Sequence, residues 1–213
     1  MFVVRLVTHS ESIEIKQNVK VDDVNLKSKS SKKLRQNRTE IIENNNYWEV
    51  LRTTVSLNVD ATIQKLNTPN SDGDTEICES KNKTDKAFID FLYRFRSPIS
   101  VEKDKYLKHQ SLFKQFPFDS KRKRMTTFVN NDNFTTKYRL FSKGGGENCT
   151  AYCKSYLDPE NGTMKPLDDN NIQRIKETIE NFNKDRLRSL YIAYKDITKE
   201  EYTNCEKVND EGK

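Results

Sequence analysis

Residues 16–46, KQNVKVDDVNLKSKSSKKLRQNRTEIIENNN, mix Lys, Ser and Asn with scattered aliphatics that keep no sustained period. Whatever core this chain builds must therefore come from the residues around that stretch. Only 33% of the 213 residues are hydrophobic and the mean hydropathy is -0.94, so the apolar content supports one full-sized domain and leaves long segments outside it. The expectation is a single domain over 1–213 with a flexible insertion at 16–46, because a Lys/Ser/Asn tract buries too little apolar area to offset its ordering entropy.

A formal charge of +6 and a pI near 9.0 favour anionic partners in general: nucleic acid, an anionic membrane surface or nucleotide phosphates. Cys78, Cys149, Cys153 and Cys205 lack the paired spacing of a zinc site, and His9 and His109 add too few nitrogen donors to complete one. No run approaches the roughly 18 to 20 apolar residues that span a bilayer, and MFVVRLVTHS is too soon interrupted for a signal peptide. These features lead us to expect a soluble chain in a reducing cytosol, without a bound metal.

FVVRLVT has the β-branched content of a strand, and YWEVLRTTVSLNVDATIQKL spaces Trp48, Leu51 and Val55 as a helix face. After the polar NTPNSDGDTEICESKN, Thr84 is an N-cap candidate for DKAFIDFLYRF, where Phe88, Leu92 and Phe95 share a stripe that stops before Pro98. LFKQFPF, RMTTFV and KYRLFS read as an antiparallel meander with the cluster KRKR, residues 121–124, at its first turn. A short helix with Cys149 and Cys153, a DPENGTMKP loop, the helix NNIQRIKETIENFNK and the apolar strand LRSLYIAYKDI follow. The order predicts an α+β fold: an antiparallel β-sheet flanked by helices.

SKGGGENC is neither GxxxxGK[ST] nor GxGxxG, and no HExxH, GxSxG, HRD or Cys/His arrangement accompanies it. On residues alone, Lys143 before its glycines is either an ordinary lysine on a flexible loop or a cation near a ligand; Phe118 is either core or an exposed ring; KRKR is a solvated face, an import signal or part of a pocket.

Four ordered segments carry a resemblance: NKTDKAFIDF at 82–91, FPFDSKRKRMTT at 116–127, SKGGGENC at 142–149 and DRLRSLYIAYKDI at 185–197. Together they resemble the nucleotide-binding (N) domain of P-type cation-transporting ATPases, most closely the plasma-membrane calcium pumps. Asp85 stands where that family usually has glutamate, and Gly145 where it usually has alanine. The resemblance implies that ATP binds with Phe118 against the adenine face, Lys143 at the pocket floor, Lys123 and Arg188 toward the phosphates, and Gly144 and Gly145 leaving room. Ser120 is a secondary contact by the same resemblance, or a residue that stabilises the turn. Asp85 either accepts from the adenine amino group or serves the start of its helix, two readings of equal standing.

DKTGTLT, TGD and GDGxND motifs are missing from the chain. The resemblance therefore implies an excised cytosolic domain, monomeric as a fragment, of an integral membrane pump, more in keeping with the plasma membrane than an internal one. Such a domain binds ATP without hydrolysing it and works with the parent's phosphorylation and actuator domains, magnesium being held elsewhere in the parent. The competing reading is a basic scaffold or nucleic-acid module centred on KRKR, disfavoured because no RNP, helix-turn-helix or zinc-finger pattern goes with the cluster.

Overall fold

The structure is a computed structural model that describes residues 5–7, 12–14, 46–71, 73–94, 97–107, 113–130, 138–158 and 162–204. The expected insertion at 16–46 lies outside the described residues except for Asn46. In chain order the elements are β1 (Arg5–Val7), β2 (Ser12–Glu14), α1 (Asn46–Leu57), β3 (Thr62–Lys65), β4 (Glu76–Glu79), α2 (Lys83–Arg94) and α3 (Ile99–Leu107). Then come β5 (Phe113–Asp119), β6 (Arg124–Asn130), β7 (Tyr138–Gly145), a 3-10 turn (Gly146–Asn148), α4 (Cys149–Tyr152), β8 (Ser155–Leu157), β9 (Met164–Pro166), α5 (Asp169–Lys184) and β10 (Leu190–Ile197). The expected α+β class, with an antiparallel sheet and helices, is what these elements form.

The chain divides into two compact units. The first comprises Met1–Arg52, Val59–Ser100 and Ser155–Pro166, and the second Thr53–Asn58, Val101–Lys154 and Leu167–Lys213.

In the first unit β1 pairs with β2, β3 with β4 and β8 with β9, each antiparallel. Trp48 and Phe91 pack ring to ring at 5.9 Å, and Leu51, Phe88 and Leu92 are buried, as the helical stripes predicted; Ala87 and Ile89 are buried as well, and Phe95 lies outside the described residues. Four expectations need correction here. The helix expected from residue 47 through the TIQK segment ends at Leu57, and Thr62–Lys65 is a strand. A turn of Asn70 and Gly73 closes the β3–β4 hairpin within a stretch read as merely polar; Asp74 N–H donates to Asn70 Oδ1 at 2.9 Å, and Gly73 takes φ 83, a conformation open to glycine. The cap of α2 is Asn82 rather than Thr84, since Asn82 Oδ1 accepts from Thr84 N–H at 2.8 Å. The DPENGTMKP segment, expected as a loop, supplies β9.

No local signal in residues 99–107 pointed to α3. Its first amides are capped from a distance: Glu76, 2% exposed, accepts from Ile99 N–H at 2.5 Å and Ser100 N–H at 2.9 Å. A carboxylate at a helix N-terminus meets both the orphan amides and the positive end of the helix dipole. Tyr93 Oη also donates to Glu76 Oε1, and burial pushes the Tyr93 phenol well above its usual range.

The second unit is built on one sheet with strand order β10-β7-β6-β5 and every pair antiparallel. Alternation along the strands sorts side chains to two faces. One carries Val129 and Phe141, which pack with Leu57, Tyr106 and the half-buried Tyr194. The other carries Phe128 and Ile197, which pack with Tyr202, Phe116, Tyr138 and Leu140. On the first face Thr127 Oγ1 donates to Leu57 O at 3.1 Å, taking up a carbonyl at the C-terminal end of α1. Arg139 spans to Asp196 with two nitrogens and lies over the Tyr194 ring at 4.4 Å. The helix α5 and the apolar strand β10 after it are as expected; the N-cap of α5 is Asp168, which accepts from Asn171 N–H at 2.7 Å.

Removal of the distant cap tests this account of α3. Glu76→Ala strands buried amides and is expected to lower the unfolding free energy by about 2–4 kcal/mol in urea titrations. An unchanged midpoint would show that α3 starts without Glu76.

Candidate functional site

One end of the four-stranded sheet gathers most of the residues singled out from sequence. The β5–β6 turn carries Ser120 and Lys123, the end of β7 carries Lys143, Gly144 and Gly145, and Arg188 lies in the short link from α5 to β10. The backbone ties these pieces together. Gly145 N–H donates to Lys123 O at 3.3 Å, and Gly146 N–H to Ser189 O at 3.1 Å, which fixes the segment carrying Arg188 beside the glycine run.

Phe118 is not core. It is 56% exposed near the end of β5, an edge strand. Its direction follows from an irregularity in the ladder: Phe116 stands opposite Thr126 but Asp119 stands opposite Arg124, so Pro117 and Phe118 together face Met125. This is a bulge, and an edge strand tolerates Pro117 there because its missing donor costs no ladder bond. In unbroken alternation Phe118 would share the face of Phe116. Counted back from Asp119, it takes the face of Met125, and Met125 pairs with Lys143.

The turn after the bulge is held by Asp119. Its Oδ1 accepts from Lys121 N–H and Arg122 N–H, both at 2.9 Å, and its carbonyl accepts from Lys123 N–H at 2.7 Å. These amides, Arg122 first, hold the Asp119 carboxyl below its ordinary range. Lys123 closes the turn in the left-handed region, φ 50. Turn stabilisation, offered for Ser120 as one reading, is supplied by its neighbour Asp119; Ser120 itself is exposed.

The four cations of KRKR go four ways. Lys121 is exposed, while Arg122 Nη2 folds back to Pro117 O at 3.0 Å. Lys123 Nζ lies 3.8 Å from Glu147 Oε1, and Arg124 stacks over the Tyr152 ring at 4.6 Å. Arg122 and Arg124 are thus engaged by the protein, so the cluster is not one solvated face.

Lys143 is only 6% exposed, placed between Met125 and Ile192 in the ladder. Gly144 and Gly145 belong to β7 rather than to a flexible loop. Gly144 has an internal reason to be glycine: an added Cβ would lie 2.6 Å from Tyr191 Cε1 and 2.8 Å from Lys123 O. Tyr191 crosses its register partner Gly144 and shares a 3.3 Å hydrogen bond with Ser142 Oγ; burial raises its phenol pKa. Sequence reasoning did not single out Tyr191, since only the cross-strand register brings it to Gly144.

Arg188 is exposed. Asp85 belongs to the first unit, is 1% exposed in the first turn of α2, and accepts from Asp60 N–H at 2.9 Å. Among the described residues no cluster of His, Cys, Asp or Glu is placed to hold a metal ion, and no helix is long and apolar enough to cross a membrane.

Both units contribute to residues 48–212, which match the family described as P-type ATPase, cytoplasmic domain N. The match covers well over half of the chain, and the chain belongs to that family. Its similar proteins include the calcium-transporting ATPase PAT1 of Dictyostelium discoideum, 33% identical over 125 residues, which is 59% of this chain and 10% of that protein. A putative plasma membrane-type calcium-transporting ATPase 11 of Arabidopsis thaliana is 25% identical over 173 residues, 81% of this chain and 15% of that protein. The sodium/potassium exporting P-type ATPase 1 of Saccharomyces cerevisiae is 33% identical over 96 residues, 45% of this chain and 9% of that protein. The chain therefore spans only a small part of the length of these relatives, at most 15%.

Two outcomes follow from the turn and the strand. Because the folded pKa of Asp119 is depressed, its support of the turn is complete above the unfolded value of about 3.9 and is lost as pH falls through the lower folded value. The Lys121 and Arg122 amide shifts should titrate with a midpoint below about 3.9 in NMR spectra; a midpoint at or above it would contradict the capped turn. Gly144→Ala should destabilise the chain by about 1–3 kcal/mol in urea unfolding, because strand backbone has to move. Wild-type stability would refute the close approach of Tyr191.

Proposed function

We propose that this end of the sheet binds ATP through its adenine base, and that the domain presents the nucleotide to a phosphorylation domain of a cation pump. The observation that carries the reading is Phe118: a ring more than half exposed, turned by a bulge beside a cationic turn. Leaving such a ring in water forgoes the stabilisation of burying it, which an aromatic stacking partner would restore.

The residues present fit a nucleotide. Phe118 offers an apolar face to the base, and Lys143, on the face to which the bulge turns Phe118, adds a buried cation beside it. Lys123 and Arg188 are exposed cations suited to a phosphate tail, with Ser120 on the same turn as a secondary contact. Gly144 serves the site indirectly, by letting Tyr191 pack across β7 and hold the strand end in place. For Asp85, its place in the first turn of α2 and its bond to Asp60 N–H favour the helix-start role over a contact with adenine.

The wider assignment rests on the family. ATP would supply the γ-phosphoryl group, the parent's phosphorylation domain the acceptor aspartate and magnesium site, and the actuator domain the following step. Calcium is the proposed ion, on the relatives named as calcium-transporting ATPases, and a plasma membrane is the proposed setting, on those named plasma membrane-type. Both units together form the nucleotide-binding domain in this reading, the family match running through each. The divergent partners of the KRKR cations argue against a continuous basic face for nucleic acid.

An isolated domain with one stacking face and exposed cations should bind ATP with a Kd on the order of 0.1–1 mM. Phe118→Ala should cost about 1–3 kcal/mol of that affinity in an NMR titration. Arg188→Ala should weaken ATP more than AMP, since only the longer tail reaches it. Tight duplex DNA binding at physiological salt, with no saturable ATP response, would support the nucleic-acid reading instead.

A further inference from the structure

The carboxylate of Glu147 lies directly over Gly145. A Cβ added to Gly145 would meet Glu147 Oε1 and Oε2 at 2.7 Å and Cδ at 2.8 Å. From that place Glu147 Oε1 reaches to 3.8 Å of Lys123 Nζ. The backbone beneath is firmly set: Lys123 is fixed in the left-handed region at φ 50, its N–H bonds Asp119 O at 2.7 Å, and its carbonyl accepts Gly145 N–H at 3.3 Å. Only the two charged side-chain ends are free to exchange partners, being 59% and 56% exposed.

We propose that Glu147 sets the phosphate preference of this site by pairing with Lys123, and that Gly145 is the residue that makes room for it. The proposal deepens the nucleotide reading above and rests on it. A carboxylate near 4 Å from the cation offsets part of its charge, and a polyphosphate tail must displace that carboxylate before it can use Lys123. The pair is exposed, so it is weak and yields readily to a competing anion. The opposition is felt by ligands whose tails extend to Lys123 and little by a monophosphate, which leaves recognition of the base as the main source of affinity. Gly145→Ala should act through the same route, because its methyl group cannot share space with the carboxylate and must push it off Lys123. The side-chain end can move at small cost, so this substitution tests the electrostatics rather than the fold.

The test is a set of titrations of the whole chain with ATP, ADP and AMP, followed by NMR, for wild type, Glu147→Gln, Gly145→Ala, Lys123→Ala and the pair Glu147→Gln with Lys123→Ala. Glu147→Gln should tighten ATP about two- to fivefold, ADP by less, and leave AMP within error, in keeping with the strength of an exposed ion pair. Gly145→Ala should shift ATP in the same direction. In the Lys123→Ala background the gain from Glu147→Gln should fall to half or less. If wild type binds ATP and Glu147→Gln, with its amide spectrum intact, leaves ATP unchanged, weakens it, or tightens AMP equally, the role of Glu147 is refuted while the nucleotide reading stands. If wild type shows no saturable response to ATP, both fall together.

Discussion

The extra residue in β5 decides what this sheet can present. Between Phe116 and Asp119 the ladder slips by one position, so Phe116 remains in the packed cluster with Phe128 while Phe118 is released to the opposite face. Asp119 then binds two amides of the following turn and returns the chain to register opposite Arg124. Lys123, Gly145 and the segment ending at Ser189 are connected to that turn by backbone bonds. Were the slip removed, Phe118 would alternate onto the face of Phe116 and part from Lys143. A bulge costs a ladder bond, and here the loss falls on an edge strand at Pro117, which has no amide to donate.

Carboxylates organise the rest over long sequence distances. Glu76 starts α3, Asp85 holds the chain after α1 through Asp60, and Asp196 fixes Arg139 across β7 and β10. Each takes amides or a guanidinium that would otherwise be stranded, and a buried unsatisfied donor costs more than the bond returns. This suits a chain that is rich in charge and poor in apolar residues: polar anchors complement small cores such as the Leu57, Tyr106, Val129 and Phe141 cluster.

How much was legible in the sequence follows from the range of each interaction. The meander, α2, α5 and β10 were readable because period and turn residues are local signals, as was the turn that begins KRKR. α1 was overrun because Thr62–Lys65 fits a helical continuation as well as a strand, and only its pairing with Glu76–Glu79 decides. α3 stayed hidden since its cap comes from Glu76, more than twenty residues upstream. At the site, the resemblance identified the residue types, yet whether Phe118 was core or exposed depended on a register slip that Pro117 alone does not specify. The need for glycine at position 144 depends on Tyr191, a neighbour only across strands. Glu147 stood in a recognised motif without a role, because its reach to Lys123 requires the side-chain space above Gly145.

The bulge turns the Phe118 ring outward, and stacking of that ring on a nucleotide base is the proposed use of it. Intermolecular nuclear Overhauser effects between ATP and the chain, collected near saturation, test it most directly. Cross-peaks are expected from the adenine H2 and H8 protons to the Phe118 ring, with weaker ones toward the Lys143 side chain. Saturable ATP binding whose adenine protons contact other residues, and show no cross-peak to Phe118, would contradict it.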